Sequence, residues 1–443
     1  MSERTAKGGL SRRKLLQTGA AAGAVIAAGP IFSPAVHAAN TKLKLGFVTP
    51  QTGPLAAFAA SDNFNIKAFK GIVKDGIKGA GGTFDVEIVV KDSQSDPNRA
   101  AEVAKQLIVE EKIDLMLTAE TPETVNPVST QCEIEEMPCI STNSPWQPYF
   151  IGRQANPAGG PPAWKPFNFT YHYFWGLEDI IAVFTSMWNQ LDTNKQIGGL
   201  FPNDADGNAW GDPVNGVPPA FTKAGYKVTD PGRYQDLTDD FSAQITAFKN
   251  ANAEIVTGVV LPPDFTTFRN QANQQNFKPK AITVGKAILF PDSVEVLGAA
   301  GHNLSSEVWW TPSHPFKSSL TGQSAAELAK AYEADSGRPW TQPIGFVHSL
   351  LEVATDVIRR AEDPKDAGSL VKTIQATDLQ TITGPVKWDG ANLPPFAAKN
   401  VCKTPLVGGQ WRRKSDGKFE LVIVDNSHAP QIPAGGKMEA ITY

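Results

Sequence analysis

Three groups of side chains in this 443-residue sequence are of types suited to chemistry: the histidines beyond residue 38, three cysteines, and the acidic run Asn203-Asp204-Ala205-Asp206-Gly207. Among His172, His302, His314, His348 and His428 no two stand three or four residues apart, the spacing that sets two imidazoles on one helix face around a metal. The acidic run has the oxygen chemistry of a calcium loop. With Gly207 at the sixth position of an EF-hand, however, Pro202 comes first and Pro213 last, and proline supplies no carboxylate. No G-x-S-x-G elbow, Walker loop, complete G-x-G-x-x-G or H-E-x-x-H occurs. The glycine-rich stretch 76–82 closes a helical pattern instead of opening one, which makes it a turn. Catalysis is not expected, and neither is a metal or a cofactor.

Cys132 falls late in a predicted helix and Cys139 opens the next strand, so a short turn could bring the two thiols together. A Cys132–Cys139 disulfide with Cys402 free is the expectation for an oxidising compartment. The alternative is three buried thiols acting as small hydrophobes. No C-x-x-C supports a redox motif or zinc ribbon.

The elements that must position any site alternate along the chain. Leu43 to Val48 reads as a strand ending at Pro50-Gln51-Thr52-Gly53-Pro54, and a helical pattern follows from Leu55 to about Lys78. Val86 to Val90 is a second strand; Asp96 as N-cap and Pro97 as first helical residue start the next helix. Ile113 to Leu117 and Met137 to Ile140 are further strands, with a helix opened by Pro122 between them. This cadence implies a parallel sheet covered on both faces. Residues 145–175 break it with ten aromatic side chains and six prolines. Such a segment either packs its rings onto a lobe or lines a ligand site. The alternation then resumes with strands at 197–201, 255–260 and 281–284, and helices at 239–250, 325–335 and 346–361. Two series divided by an insertion suggest two α/β lobes.

Hydrophobic residues make up 41% and charged residues 19%, an ordinary globular composition. Residues 11–17 (Ser-Arg-Arg-Lys-Leu-Leu-Gln), the small apolar run from Thr18 to Ala28 and Val36-His37-Ala38 form the pattern of an export signal of twin-arginine type, 1–38, cleaved near Ala38. Pro30 and Pro34 interrupt the apolar stretch before it could serve as an anchor of about 18 residues. The periplasm is the expected location. Without residues 1–38 the 41 basic and 45 acidic residues fall to 36 and 44, a formal charge of −8. A nucleic-acid partner is therefore not expected.

Leu45-Gly46-Phe47-Val48-Thr49-Pro50 with Thr52-Gly53-Pro54-Leu55-Ala56-Ala57-Phe58, Asp92-Ser93-Gln94-Ser95-Asp96-Pro97, the unit from Ile113 to Ser141, Asp239 to Ile245, and Thr383 to Asp389 occur in an order that resembles one family. The chain is similar to the branched-chain amino-acid (Leu/Ile/Val) type of periplasmic substrate-binding protein that serves ABC importers. The resemblance implies an α/β, type I periplasmic binding protein fold: two α/β lobes with parallel-core sheets joined by a three-segment hinge. On that template lobe 1 is 41–145 plus 312–378, and lobe 2 is 146–311 plus 379–443, with the aromatic insertion at 145–175.

Carried over by position, the resemblance places Phe58 at an aromatic that touches ligand. Glu120, Thr121, Glu123 and Thr124 match a loop whose hydroxyls and amides hold a ligand carboxylate. Thr142, Asn143 and Ser144 match the loop after the next strand. Trp210 stands where the family has Tyr before Gly, and Pro262 follows a position that lacks the family's ring. Gly285 and Lys286 replace an acid that pairs with an α-ammonium. Lys286 could therefore pair with an anion, and Phe58 and Trp210 could sandwich a planar group. The expected ligand is a carboxylate-bearing small solute, aromatic or not, or an amino acid in another orientation, or an amide- or urea-like solute. Plainer roles exist for each residue: core packing for Phe58 and Trp210, a solvated charge for Lys286, a helix cap for Thr124. The implied partners are an ABC permease and its ATPase subunits, with the receptor a monomer. A ligand sensor of the same fold and a Tat-exported enzyme are the rival roles.

Overall fold

A computed structural model describes residues 40–443, so the expected export segment lies outside the described residues. The apolar runs become strands buried on both faces, as parallel sheets require. In chain order they are β1 Thr41–Thr49, β2 Ile77–Gly79, β3 Gly82–Asp92, β4 Leu115–Thr118, β5 Cys139–Thr142, β6 Thr170–Tyr173, β7 Gln196–Leu200 and β8 Lys227–Thr229. There follow β9 Ile255–Val259, β10 Ala281–Gly285, β11 Ser305–Val308, β12 Asp378–Thr381, β13 Gly384–Lys387, β14 Val401–Cys402, β15 Val407–Arg413 and β16 Phe419–Asp425.

Two seven-stranded sheets result. One has the order β14-β6-β5-β4-β1-β3-β2 and the other β16-β15-β11-β10-β9-β7-β8. Both cores are parallel, with antiparallel pairing only at β2 in the first and at β15 and β16 in the second. The helix Pro343–Arg360 lies against the first sheet's side of the molecule, touching β2 and β5, and is buried over nearly its whole length. The chain thus passes between the two halves three times, after β6, after β11 and after β14. This is the two-lobed type I architecture.

Two crossings fall later than the template placed them. Thr170–Tyr173 pairs in parallel with Cys139–Thr142, so the first lobe keeps the chain through Tyr173 instead of releasing it at 145. Val401 pairs with His172, which returns the chain to the first sheet after the β12–β13 hairpin, where 379–443 had been assigned to the second lobe. The helical pattern from Leu55 also shortens: a 3-10 turn Phe58–Ser61 leads into helix Asp62–Ile72, and Ile77–Gly79 forms a hairpin with β3. Gly76 (φ +79°) and Gly82 (φ +126°) adopt backbone that other residues avoid, which is why the glycine-rich stretch turns.

The expected start of helix Pro97–Val109 is present: the Asp96 carboxylate accepts the Arg99 N–H at 2.7 Å. The expected disulfide is not. Cys132 and Cys139 are free, fully buried thiols packed among Ala100, Val103, Leu107 and Val128. Burial pushes the Cys132 thiol well above its ordinary range, leaving an inert small hydrophobe. Cys402 is also free and buried.

The aromatic segment divides its labour. Trp146, Tyr149, Phe150 and Trp164 bury against Val125, Ala397 and Val401. Arg153 lies over the Phe167 ring at 3.9 Å, and Tyr149 stacks on His172 at 4.1 Å. This part is packing. Its end, Phe174-Trp175, turns toward the space between the sheets.

Candidate functional site

A crevice opens where the carboxyl ends of the two sheets face each other, the place at which open α/β sheets take ligands. From the first half come Phe58 beyond β1, Thr121 beyond β4, Asn143 beyond β5, and Phe174 and Trp175 beyond β6. From the second come Asp206 and Trp210 beyond β7, Val259 at the end of β9, Lys286 beyond β10, and Glu307 and Trp309 at β11. The rings nearly fill the space. Phe58 meets Phe290 of the other half edge to face at 4.9 Å, and Trp175 meets Trp210 at 6.4 Å. The cavity left is about 30 Å³, room for a water or two at roughly 10–15 Å³ each. Any larger solute enters only if the halves part.

Four non-glycine residues at these strand exits hold left-handed backbone: Glu120 (φ 77°), Thr121 (φ 63°), Asn143 (φ 63°) and Lys286 (φ 70°). Each costs on the order of 1–3 kcal/mol and persists where surrounding bonds over-determine it. Those bonds are present. The Thr121 N–H donates to the Asn143 carbonyl at 2.9 Å, the Asn143 amide donates to Glu120 Oε1 at 2.8 Å, and the Lys286 N–H donates to Glu307 Oε1 at 3.1 Å. At Thr121, Asn143 and Lys286 this backbone belongs to residues that line the crevice.

The charges converge across it. Lys286 Nζ stands 3.0 Å from Asp206 Oδ2, 3.4 Å from Asp204 Oδ2 and 3.5 Å from Glu123 Oε2. Glu123 sits in the first turn of helix Thr121–Ile134 on one side, the two aspartates at helix Ala205–Trp210 on the other. One ammonium cannot neutralise three carboxylates. Burial pushes Glu123 up, but the Lys286 ammonium overrides it and holds the group below its ordinary range. Asp206, buried and flanked by Glu123 and Asp204, rises to about 7 despite Lys286. Glu307 rises to about 7 by burial, and Glu120 rises well above its ordinary value by burial and the neighbouring Asp62. Burial opposes the Lys286 charge, yet the three carboxylates raise it well above the usual ammonium range.

These shifts give stability a definite pH dependence. Between about pH 4 and 7 folded Asp206 and Glu307 keep protons that the unfolded chain has released, so their contribution falls as pH rises. Buried neutral His172 and His314, lowered by burial to about 3, and His348, to about 4, act oppositely, but only up to the ordinary 6.5. The melting temperature of the solute-free protein is therefore expected to drop as pH rises from about 6.5 through 7 and to level off above. Asp206→Asn should flatten that drop, and an equally steep profile in the variant would remove Asp206 as its source.

Of the residues expected at the site, Phe58, Thr121, Asn143, Trp210 and Lys286 line the crevice, and Glu123 reaches it through Lys286. Glu120 lies just behind, bonded by Asn143. Gly285 floors Trp210, whose ring tip would stand 3.0 Å from a Cβ there. The others are engaged elsewhere. Thr142 Oγ1 donates to the Tyr173 carbonyl, Thr124 Oγ1 bonds Ser93 Oγ, Ser144 Oγ bonds the Pro145 carbonyl, and Pro262 opens helix Pro262–Gln274. Thr124 does not cap its helix; the N-cap position is Glu120. Lys286 is neither a solvated charge nor free to pair with an anion. Asp206, Glu307 and Trp309 line the crevice without having been expected there, and Phe174 and Trp175 were expected only as members of the aromatic segment that packs or lines a site. For Glu307 and Trp309 the one sequence signal is position at a strand's end, and Ser305–Val308 lacks the apolar run that marks a strand.

The family model for periplasmic binding proteins matches residues 42–397. No curated protein matches the chain in sequence. Among solved structures the chain is similar to a leucine-binding protein LivK from Thermotoga maritima MSB8 (18% identity over 87% of this chain and 99% of that one, TM-score 0.68). It is similar to the branched-chain amino-acid transporter protein LivJ from Streptococcus pneumoniae in complex with isoleucine (16%, 86% and 100%, TM-score 0.65). A solute-binding protein from Rhodopseudomonas palustris BisB5 in complex with 3,4-dihydroxybenzoic acid is a third (17%, 87% and 96%, TM-score 0.65). Such identities carry the fold and nothing finer.

Proposed function

The chain belongs to the periplasmic binding protein family, and from that premise we propose that it is the solute receptor of an ABC importer, trapping a small organic solute between two lobes outside the inner membrane. The observation that carries this reading is the crevice itself. Buried rings and polar groups from the exits of β1, β4, β5 and β6 in one half and of β7, β10 and β11 in the other converge on it, with strained backbone at three of those exits. Binding energy would come from burying the solute among these rings, and closure would follow because only the closed form offers both walls at once. The membrane permease would then read the closed shape. The non-enzymatic role expected of the sequence agrees with the family.

The proteins of similar fold hold isoleucine in one case and a dihydroxybenzoic acid in another. Neither carries over simply. A carboxylate is best held by a cation, and Lys286 is already engaged by three acids, which leaves the Thr121 hydroxyl and the indole N–H groups of Trp175, Trp210 and Trp309 as the unpartnered donors. Small-angle scattering with and without a solute found by thermal-shift screening tests the reading. The radius of gyration should shrink when the solute binds. A bound solute that leaves both the scattering profile and a Trp210→Phe variant's affinity unchanged would place binding outside the crevice.

A further inference from the structure

Resting on the receptor reading above, we infer that the solute is a small organic cation with N–H donors, an amine, amidine or guanidine without a carboxylate group. Lys286 is the one basic side chain among the described residues lining the crevice. Against it stand Asp206 and Glu307 in the lining, Glu123 and Asp204 in contact with its ammonium, and Glu120 and Asp62 directly behind. A second ammonium completes this arrangement; a carboxylate adds a like charge in a place sealed from water. The helix N-terminus that could have received an anion already carries the Glu123 carboxylate in its first turn.

The hydrogen-bonding groups point the same way. Glu123 Oε1 and Asn143 Oδ1 are buried acceptors with no partner, and Asp206 Oδ1 and Glu120 Oε2 are likewise unpartnered, on carboxyls whose hold on a proton burial strengthens and a neighbouring cation would weaken. Each is an oxygen that lacks a donor, and buried polar groups are ordinarily satisfied. A primary ammonium or a guanidinium supplies several donors from one compact group. Trp175, Trp210 and Trp309 are nearly fully buried, and their indole N–H groups are also unpartnered. They suit a neutral hydroxyl or carbonyl elsewhere on the solute. Their faces, with that of Phe58, favour a cation held among them. The carboxylate expected from the sequence gives way to its opposite because the residue that would have paired with it is consumed within the protein.

The test is calorimetric titration of the protein purified from the periplasm with agmatine, putrescine and benzylamine, against benzyl alcohol, leucine and 4-hydroxybenzoate. At least one amine should bind saturably and raise the melting temperature, benzyl alcohol should bind less tightly than benzylamine, and the two carboxylates should not bind. Asp206→Asn and Glu307→Gln should each weaken the amine on the order of tenfold or more, with melting curves confirming that both variants fold. Binding of leucine or 4-hydroxybenzoate without any amine would overturn the cation assignment and leave the receptor reading standing. Silence from all six solutes, with a scattering profile that none of them changes, would overturn both.

Discussion

Replacing Lys286 by Met should destabilise the protein by about 3–5 kcal/mol, the usual cost of leaving buried charge without its partner. Lys286 is 5% exposed, and Glu123, Asp204 and Asp206 all crowd its ammonium. Met keeps much of the stem's volume, so the loss is electrostatic and not a cavity. Without the ammonium the three carboxylates can relieve their repulsion only by holding protons. The variant should therefore be nearer to wild type at pH 5 than at pH 8. Denaturant midpoints at both pH values measure this. Adding Asp206→Asn should recover part of the loss by removing one of the stranded charges. A single variant with wild-type stability at pH 8 would show that water reaches the cluster. The lysine also links the halves, since Glu123 and Lys286 belong to different ones. Its loss should leave the solute-free protein more open, with a larger radius of gyration.

Trp210→Ala carries the second large effect. The indole is 1% exposed, packs near Phe184 at 6.3 Å and Trp175 at 6.4 Å, and lies over Gly285. Truncating a buried Trp costs about 3–5 kcal/mol through lost burial and the cavity left behind. Because the same ring walls the crevice, solute affinity should fall as well, by more than tenfold if the ring acts as a binding hot spot worth about 2 kcal/mol. Trp210→Phe separates the two effects. It keeps a ring against Phe184 and should restore most of the stability, while it shortens the wall and loses the indole N–H. Full affinity in Trp210→Phe combined with low affinity in Trp210→Ala would mean that the ring's bulk matters and its N–H does not. Full affinity in both would remove Trp210 from the site.

Local order was legible wherever the physics is local. The apolar run Leu43 to Val48, the Asp96-Pro97 helix start and the glycine turn at 76–82 each depend on neighbours in sequence, and each is present in the fold. Phe58, Thr121 and Asn143 were named from the family resemblance, which puts them in loops at strand exits. In a parallel sheet the site lies past strand ends, and a strand end can be read from where an apolar run stops. Trp309 was lost because Ser305–Val308, with Ser305, Ser306 and Glu307, has no apolar run to announce a strand. The thiols show the limit of proximity arguments: a helix end and a strand start do bring Cys132 and Cys139 together, yet the structure has them as free thiols among apolar side chains.

What the chain determined alone was its alternation, its two-series division and the loops that would bear a site, because hydrophobic period and capping act over a few residues. What only the tertiary structure decided was the sign of the crevice. Lys286 and Glu123 are 163 positions apart, and Asp206 looked like half of a failed calcium loop. A lysine's charge is available to a ligand or spent inside the protein according to which carboxylates the fold sets within 4 Å of it, and Coulomb attraction over that distance does not follow chain order.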